Sequence, residues 1–114
     1  MAQSPSKSVQ RAKNDAFRAR CAKGERKERE DIRGSPWVHA LSDEKREALQ
    51  KLIFGYDNWT PETDPTETHA SGVVVFEGHY VIWRIRYFDT TPPGLLVLDP
   101  VVNLTLLVMH SSEI

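Results

Sequence analysis

Val73-Val74-Val75-Phe76-Glu77-Gly78-His79-Tyr80-Val81-Ile82-Trp83-Arg84-Ile85-Arg86-Tyr87-Phe88 is the stretch that decides the fold class. β-branched and aromatic residues run on both sides of Glu77-Gly78, where glycine supplies a positive φ, so the pattern predicts a hairpin with a two-residue turn. Side chains alternate across a strand, which puts Val81, Trp83, Ile85 and Tyr87 on one face, expected to be core. A two-residue turn then sets Val74 opposite Val81 and Phe76 opposite His79 on that face. The reverse face carries Tyr80, Ile82, Arg84, Arg86 and Phe88.

Working outward, Val9, Ala12, Ala16 and Ala19 recur at three- and four-residue steps beside Phe17, and predict a helix from about Ser8. Residues 1–7 lack anything to bury and are expected to be disordered. The run Lys23-Gly24-Glu25-Arg26-Lys27-Glu28-Arg29-Glu30-Asp31 is expected to extend that helix into solvent or fray, ending at Gly34-Ser35-Pro36. Ser42 or Asp43 is a suitable N-cap for a second helix over residues 43–55, whose face is Ala48, Leu49, Leu52, Ile53 and Tyr56. Residues 56–71 read as an acidic loop with Pro61 and Pro65, and residues 89–94 as a second loop. Residues 95–98 predict a short strand and 101–110 a long one, with a turn at Asp99-Pro100. Helices first and strands afterwards argue α+β: two N-terminal helices packed on a three- to four-stranded antiparallel meander, one domain over residues 8–114.

The chain has 114 residues and a net charge of −1. At this size it buries about 65% of its unfolded surface, enough for a core without disulfides. The one cysteine, Cys21, fits a reducing compartment. The opening MAQSPSKS has no apolar stretch of the kind a secretory signal needs, and no run is long and apolar enough to span a membrane. A cytoplasmic protein is therefore expected, in which the sequons at Asn58 and Asn103 carry no glycan. Charge is unevenly divided: residues 1–34 hold ten Lys/Arg against five Asp/Glu, and residues 35–114 hold five against eleven. The first segment can attract an acidic partner or nucleic acid, or its charges can meet opposites within the fold. The interspersed acids dilute the potential that phosphate binding needs.

The residues also carry a family resemblance. Asn14-Asp15-Ala16-Phe17-Arg18 matches an Asn-Asp-x-Phe-Arg helix motif. Asp64-Pro65-Thr66-Glu67 leads to Thr68-His69-Ala70-Ser71-Gly72, where the family reads Glu-His-Asp-Phe-Gly. Trp83-Arg84-Ile85-Arg86-Tyr87-Phe88-Asp89 parallels Trp-Lys-Ile-Asp-Tyr-Tyr-Asp, and Leu106-Leu107-Val108-Met109 parallels Leu-Thr-Ile-Met. The chain resembles a bacterial family of small proteins known as a domain of unknown function (family number 3768), frequent in accessory genomes and plasmids. It departs at Thr68 and Ala70, which stand where the family has acids flanking the histidine, and at Arg86, where it has Asp. The resemblance implies a fold and a genomic setting and no activity.

For chemistry, the candidates are few. Glu67 and His69, two apart, would share one side of a strand, and His79 and His110 would approach if the hairpin pairs with the last strand; together they suggest a divalent-metal site around His69. No His-x-x-x-His, Cys-x-x-Cys or calcium-loop spacing supports it, and no cofactor is expected. Cys21 lacks a neighbouring base in sequence and reads as a packing residue. Asp57, Glu62, Asp64 and Glu67 are either hydrolytic carboxylates or caps of turns. Surfaces are the better candidates. Trp59 is either an exposed contact or a lid over the core. Tyr80, Arg84, Arg86 and Phe88 form an aromatic and cationic strand face suited to a protein or to stacked bases, unless the first helix covers it with Asp15 or Glu28 pairing the arginines. The leading reading is a non-enzymatic protein-interaction module acting on a host or competitor protein. Its alternatives are a nucleic-acid binder using Arg11, Lys13, Arg18 and Arg20 with Arg84 and Arg86, and a small metal-dependent enzyme around His69. A C-terminal strand at a sheet edge would also permit a homodimer.

Overall fold

Glu77 and Gly78 both have positive φ, 50° and 81°, the backbone of a tight hairpin turn whose twist suits the flanking strands. The pairing is the one the alternation predicts, with Val74 opposite Val81 and Phe76 opposite His79. A computed structural model describes residues 6–27, 29–89 and 102–113, and gives no side-chain account of residues 88, 89, 102 and 103. The elements are α1 (Lys7–Lys23), β1 (Glu30–Gly34), α2 (Pro36–His39), α3 (Asp43–Phe54), β2 (Ser71–Phe76), β3 (His79–Asp89), β4 (Val102–His110) and a closing 3-10 turn (Ser111–Glu113). The architecture is α+β, and the sheet order is β1-β4-β3-β2. The expected strand over residues 95–98, the loop over 90–94, Glu28 and residues 1–5 of the expected disordered start lie outside the described residues. No helix among those described is long and apolar enough to cross a membrane.

Three expectations are corrected. First, the sheet is mixed and not an antiparallel meander, because β1 pairs with β4 in parallel. Its residues lie in and after the charged run expected to extend the first helix. That helix instead stops at Gly24, whose φ of 69° is left-handed; the Gly24 and Glu25 amides turn back to the carbonyls of Cys21 (3.2 Å) and Arg20 (2.8 Å), the Schellman arrangement that glycine favours. Second, β4 is flanked on both sides, so the C-terminal strand is no free edge; among the described strands the outermost are β1 and β2. Third, α1 begins inside the expected disordered start: Lys7 is helical and the Ser6 hydroxyl caps it by accepting from Val9 N–H at 3.3 Å. The second long helix is α3, capped by Ser42 and carrying Asp43 and Glu44 in its first turn, where the helix dipole favours acids.

The core lies between one sheet face and the helices. Val74, Phe76, Val81, Trp83, Ile85, Leu106 and Val108 come from the sheet, and Phe17, Cys21, Val38, Leu49 and Ile53 from the helices. Tyr87 shares the core face of β3 by alternation yet is exposed.

Arg20 fastens β1 to α1. Its guanidinium holds both carboxylate oxygens of Glu30, with Nε at 2.9 Å from Oε1, and Glu30 Oε1 also accepts from Lys27 N–H at 2.8 Å. These donors hold the Glu30 carboxyl below the usual carboxylate range and raise the Arg20 guanidinium further, each mainly through their mutual hydrogen bond. A folded carboxyl that binds its proton more weakly than the unfolded one stabilises fully above the ordinary Glu value of about 4.3, and the stabilisation is lost as pH falls through the folded value. Glu30→Gln is expected to lower stability by about 2 kcal/mol at pH 7 in urea unfolding. The gap from wild type should shrink as the pH is taken below 4; an unchanged gap at low pH would refute the assignment.

Candidate functional site

Helix α1 buries Asn14, Phe17, Arg18 and Cys21, positions spaced i, i+3, i+4 and i+7 on one face. The expected stripe of Val9, Ala12, Ala16 and Ala19 faces outward instead, with Val9 46% exposed. Alanine contributes little area on burial, so Phe17 and Cys21 set the face, and the two polar residues between them are accommodated by backbone carbonyls. Asn14 Nδ2 donates to the Thr68 carbonyl at 2.8 Å. Arg18, only 6% exposed, donates from Nη1 to the carbonyls of Ile53 (3.0 Å) and Tyr56 (3.1 Å). The Ile53 oxygen lies in the last turn of α3 and the Tyr56 oxygen two residues beyond its end, where carbonyls leave the helix ladder and the dipole is negative.

Aromatic rings close around the same guanidinium. Arg18 Cζ lies 5.0 Å from the Trp59 ring centre and 5.1 Å from that of Trp83, within reach of both quadrupoles. Tyr56 meets both indoles edge-on, at 4.8 Å and 5.5 Å. The packing leaves no room for a side chain at Gly72, where a Cβ would fall 2.7 Å from Trp83 Nε1 and 2.8 Å from the Tyr56 ring.

His69 completes the group. Its ring stacks on Trp59 at 3.8 Å with an interplanar angle of 8°. Its Nδ1 sits 2.9 Å and 3.1 Å from the two carboxylate oxygens of Asp15, and its Nε2 is 3.8 Å from Asp64 Oδ2. Asp64 Oδ1 accepts from His69 N–H at 3.2 Å. Asp15 also accepts from Arg18 Nη2 at 3.3 Å, so one carboxylate orients both a histidine and the buried arginine. The loop takes left-handed backbone at Glu67 (φ 59°) and His69 (φ 56°), a conformation unfavourable for residues with a Cβ and sustained only by surrounding contacts. A cleft of about 240 Å³ opens beside it, lined by Arg11, Trp59, Thr60, Pro61, Asp64, Glu67 and His69. An Asp–His pair of this kind can clamp a loop or orient an imidazole for proton transfer.

The structure separates the other sequence candidates. Glu67 and His69 do not share a strand side: Glu67 turns to Lys7 at 3.8 Å. Asp57 and Glu62 are exposed while Asp64 is buried, and Asp64 closes a turn. Among the described residues no group of three His, Cys, Asp or Glu side chains is arranged to hold a metal ion. Trp59 is partly buried and packs against the core, as the lid alternative expects, and it also lines the cleft. Cys21 is buried, and burial pushes its thiol up to about 11, away from nucleophilic use. Of the four α1 residues offered to nucleic acid, Arg18 is enclosed, Arg20 is held by Glu30, and Arg11 Nε donates to the Glu67 carbonyl at 2.9 Å; Lys13 is exposed. Tyr80, Arg84 and Arg86 are exposed on the face away from the helices. Asp15 therefore pairs with Arg18 and His69 rather than with the strand arginines. Phe88 is opposite Asn103 in the register, and its side chain lies outside the described residues. Asp15 and Arg18 were missed as a unit with His69; one turn of helical spacing joins the first two, but no local pattern joins them to the loop.

Arg18→Lys is expected to destabilise by about 2–3 kcal/mol, because an ammonium cannot reproduce the planar fork that serves two carbonyls beside two indoles. His69→Ala should lose about 1–2 kcal/mol through the Asp15 hydrogen bond and the Trp59 stack. Both are read by urea unfolding followed by tryptophan fluorescence, and wild-type midpoints would contradict the arrangement.

Comparison with known protein families matches residues 35–95 to the family described as Protein of unknown function (DUF3768). The matched span includes the Asp64 to Gly72 and Trp83 to Asp89 stretches and leaves Asn14 to Arg18 outside it. Neither the comparison with curated proteins nor that with solved structures gives a match. With more than half its length aligned, this chain belongs to the DUF3768 family.

Proposed function

We propose that this chain is a non-enzymatic protein-interaction module working in the cytoplasm, and that the sheet face turned away from the helices is its contact surface. The observation that carries the reading is the chemical order of that face. Cross-strand register aligns Val75 with Tyr80, then Val73 with Ile82 and Met109, then Arg84 with Leu107 and Arg33, then Arg86 with Thr105 and Asp31. The surface thus grades from apolar and aromatic to cationic. Val75 and Tyr80 are each 62% exposed, and large apolar side chains clustered this way favour a protein contact over plain solvent. The partner that fits is a protein surface with an apolar centre and acidic groups beside it. The bacterial accessory-genome setting implied by the motif resemblance belongs to the same reading.

A nucleic-acid partner is less well supported, because α1 turns Arg18 and Arg20 into the fold. An enzyme around His69 draws support from the Asp15–His69 pair beside its cleft, and His69 would be the proton-transfer group. The histidine is only 16% exposed, and its free nitrogen faces Asp64.

Tagged protein purified from its host, with and without nuclease, tests the leading reading. A protein retained in stoichiometric amount after nuclease, and lost from the Arg84→Glu/Arg86→Glu variant but kept by His69→Ala, is the expected result. Binding unchanged by the double charge reversal would remove the face from the account, and nuclease-sensitive binding would replace the protein partner with nucleic acid.

A further inference from the structure

His79 opens β3 and His110 closes β4, and the register sets His110 opposite Val81. His79 is two residues from Val81 and shares its side of the sheet, so both imidazoles project from the same corner. His79 Nδ1 and His110 Nε2 are 3.0 Å apart. Trp37 of α2 covers both rings, at 5.4 Å and 4.8 Å between centres. Glu113 holds the corner together: it accepts from the Ser35 hydroxyl (2.5 Å), Trp37 N–H (3.3 Å) and His110 N–H (2.8 Å). Hydrogen bonds to these three donors keep its carboxyl below the usual range, Ser35 contributing most.

We propose that His79 and His110 form a bidentate site for a divalent transition metal, Cu(II) or Ni(II) in preference to Zn(II). Imidazole nitrogens suit these ions, and for a given nitrogen donor set the affinity is highest for Cu(II). Two nitrogens 3.0 Å apart need little movement to occupy neighbouring positions of one centre, with water completing the coordination. His79 is exposed and His110 half-buried, so a turn of His79 about its side-chain bonds aims its lone pair at an ion seated on His110 Nε2.

The hydrogen bonds around His110 set its tautomer, and metal binding exchanges one of them for another. Without metal, Ser112 N–H donates to His110 Nδ1 at 3.0 Å, which places the ring proton on Nε2, shared with His79. With metal on Nε2, the proton moves to Nδ1 and is donated to Ser112 Oγ, 2.7 Å away, and the Ser112 N–H gives up its bond to Nδ1 and turns to solvent, a cost that metal binding must exceed. A partner of this kind fixes the ring and strengthens the ligand nitrogen. The site shares no residue with the Asp15–His69 pair and is independent of the contact face proposed above.

Chelator-stripped full-length protein titrated with Cu(II), Ni(II) and Zn(II) tests the site, by calorimetry and tryptophan fluorescence together. One equivalent of Cu(II) should bind and quench emission, with Zn(II) weaker. His79→Gln and His110→Gln should each weaken binding by about tenfold or more, and Ser112→Ala by about tenfold. Trp37→Phe should remove most of the quenching while leaving the calorimetric binding intact, since Trp59 and Trp83 lie elsewhere. The substituted rings are at the surface, and thermal unfolding monitored by circular dichroism verifies that each variant is folded. Cu(II) binding undiminished in the His79→Gln/His110→Gln double variant would overturn the proposal, and so would binding abolished by His69→Ala.

Discussion

A guanidinium packed against two indoles, donating to carbonyls at and just beyond the end of a helix, is the contact on which the rest of this structure depends. Placing a charge in a core carries a large desolvation penalty, and Arg18 meets it three ways at once: carbonyls from α3 and the segment after it, the Asp15 carboxylate, and the faces of Trp59 and Trp83. Each partner belongs to a different part of the chain. Helix α1, the end of α3, the acidic loop and β3 are therefore fixed relative to one another through a single side chain. The Trp59 ring, caught between Arg18 and His69, extends the same constraint to the loop, and Gly72 lets β2 approach closely enough for Tyr56 and Trp83 to meet.

The outcome is an asymmetric layer. The core sits between the helices and one sheet face, and the opposite face grades from valine and tyrosine to arginine. The charge division along the chain has a structural meaning that net charge hides. Much of the basic excess of the first segment is used internally, in Arg18, in the Arg20–Glu30 fork and in Arg11 against the loop backbone, so the strand arginines contribute more to the outer surface than their number suggests.

The hairpin was legible because its information is local: a two-residue turn and strict alternation specify which residues face each other, and a slip by one would turn every core side chain outward. Helix α3 was legible for the same reason, with a hydroxyl cap, acids in the first turn and an apolar face at helical spacing. Helix α1 was legible as a helix but not in its orientation. Alanines at helical spacing resemble a buried stripe, yet the buried face is the one whose polar members, Asn14 and Arg18, find carbonyls elsewhere. Strand β1 was hidden, since Glu30-Asp31-Ile32-Arg33-Gly34 has one large apolar residue and becomes a strand by adding to the edge of β4.

The candidate sites divide along the same line. Alternation alone puts Tyr80, Arg84 and Arg86 together, and strand pairing brings His79 to His110, because both follow from a period of two. The Asp15–His69 pair spans 54 residues and depends on left-handed backbone in an acidic loop, which no periodicity encodes. By itself the amino-acid sequence determined the α+β class, the hairpin register and the two faces of β3, all set by steric alternation and short-range turn geometry. The tertiary structure alone decided which face of α1 is buried, the parallel edge strand, and the enclosure of Arg18 and His69, because the carbonyls, carboxylate and rings that receive these polar side chains come from segments distant in sequence.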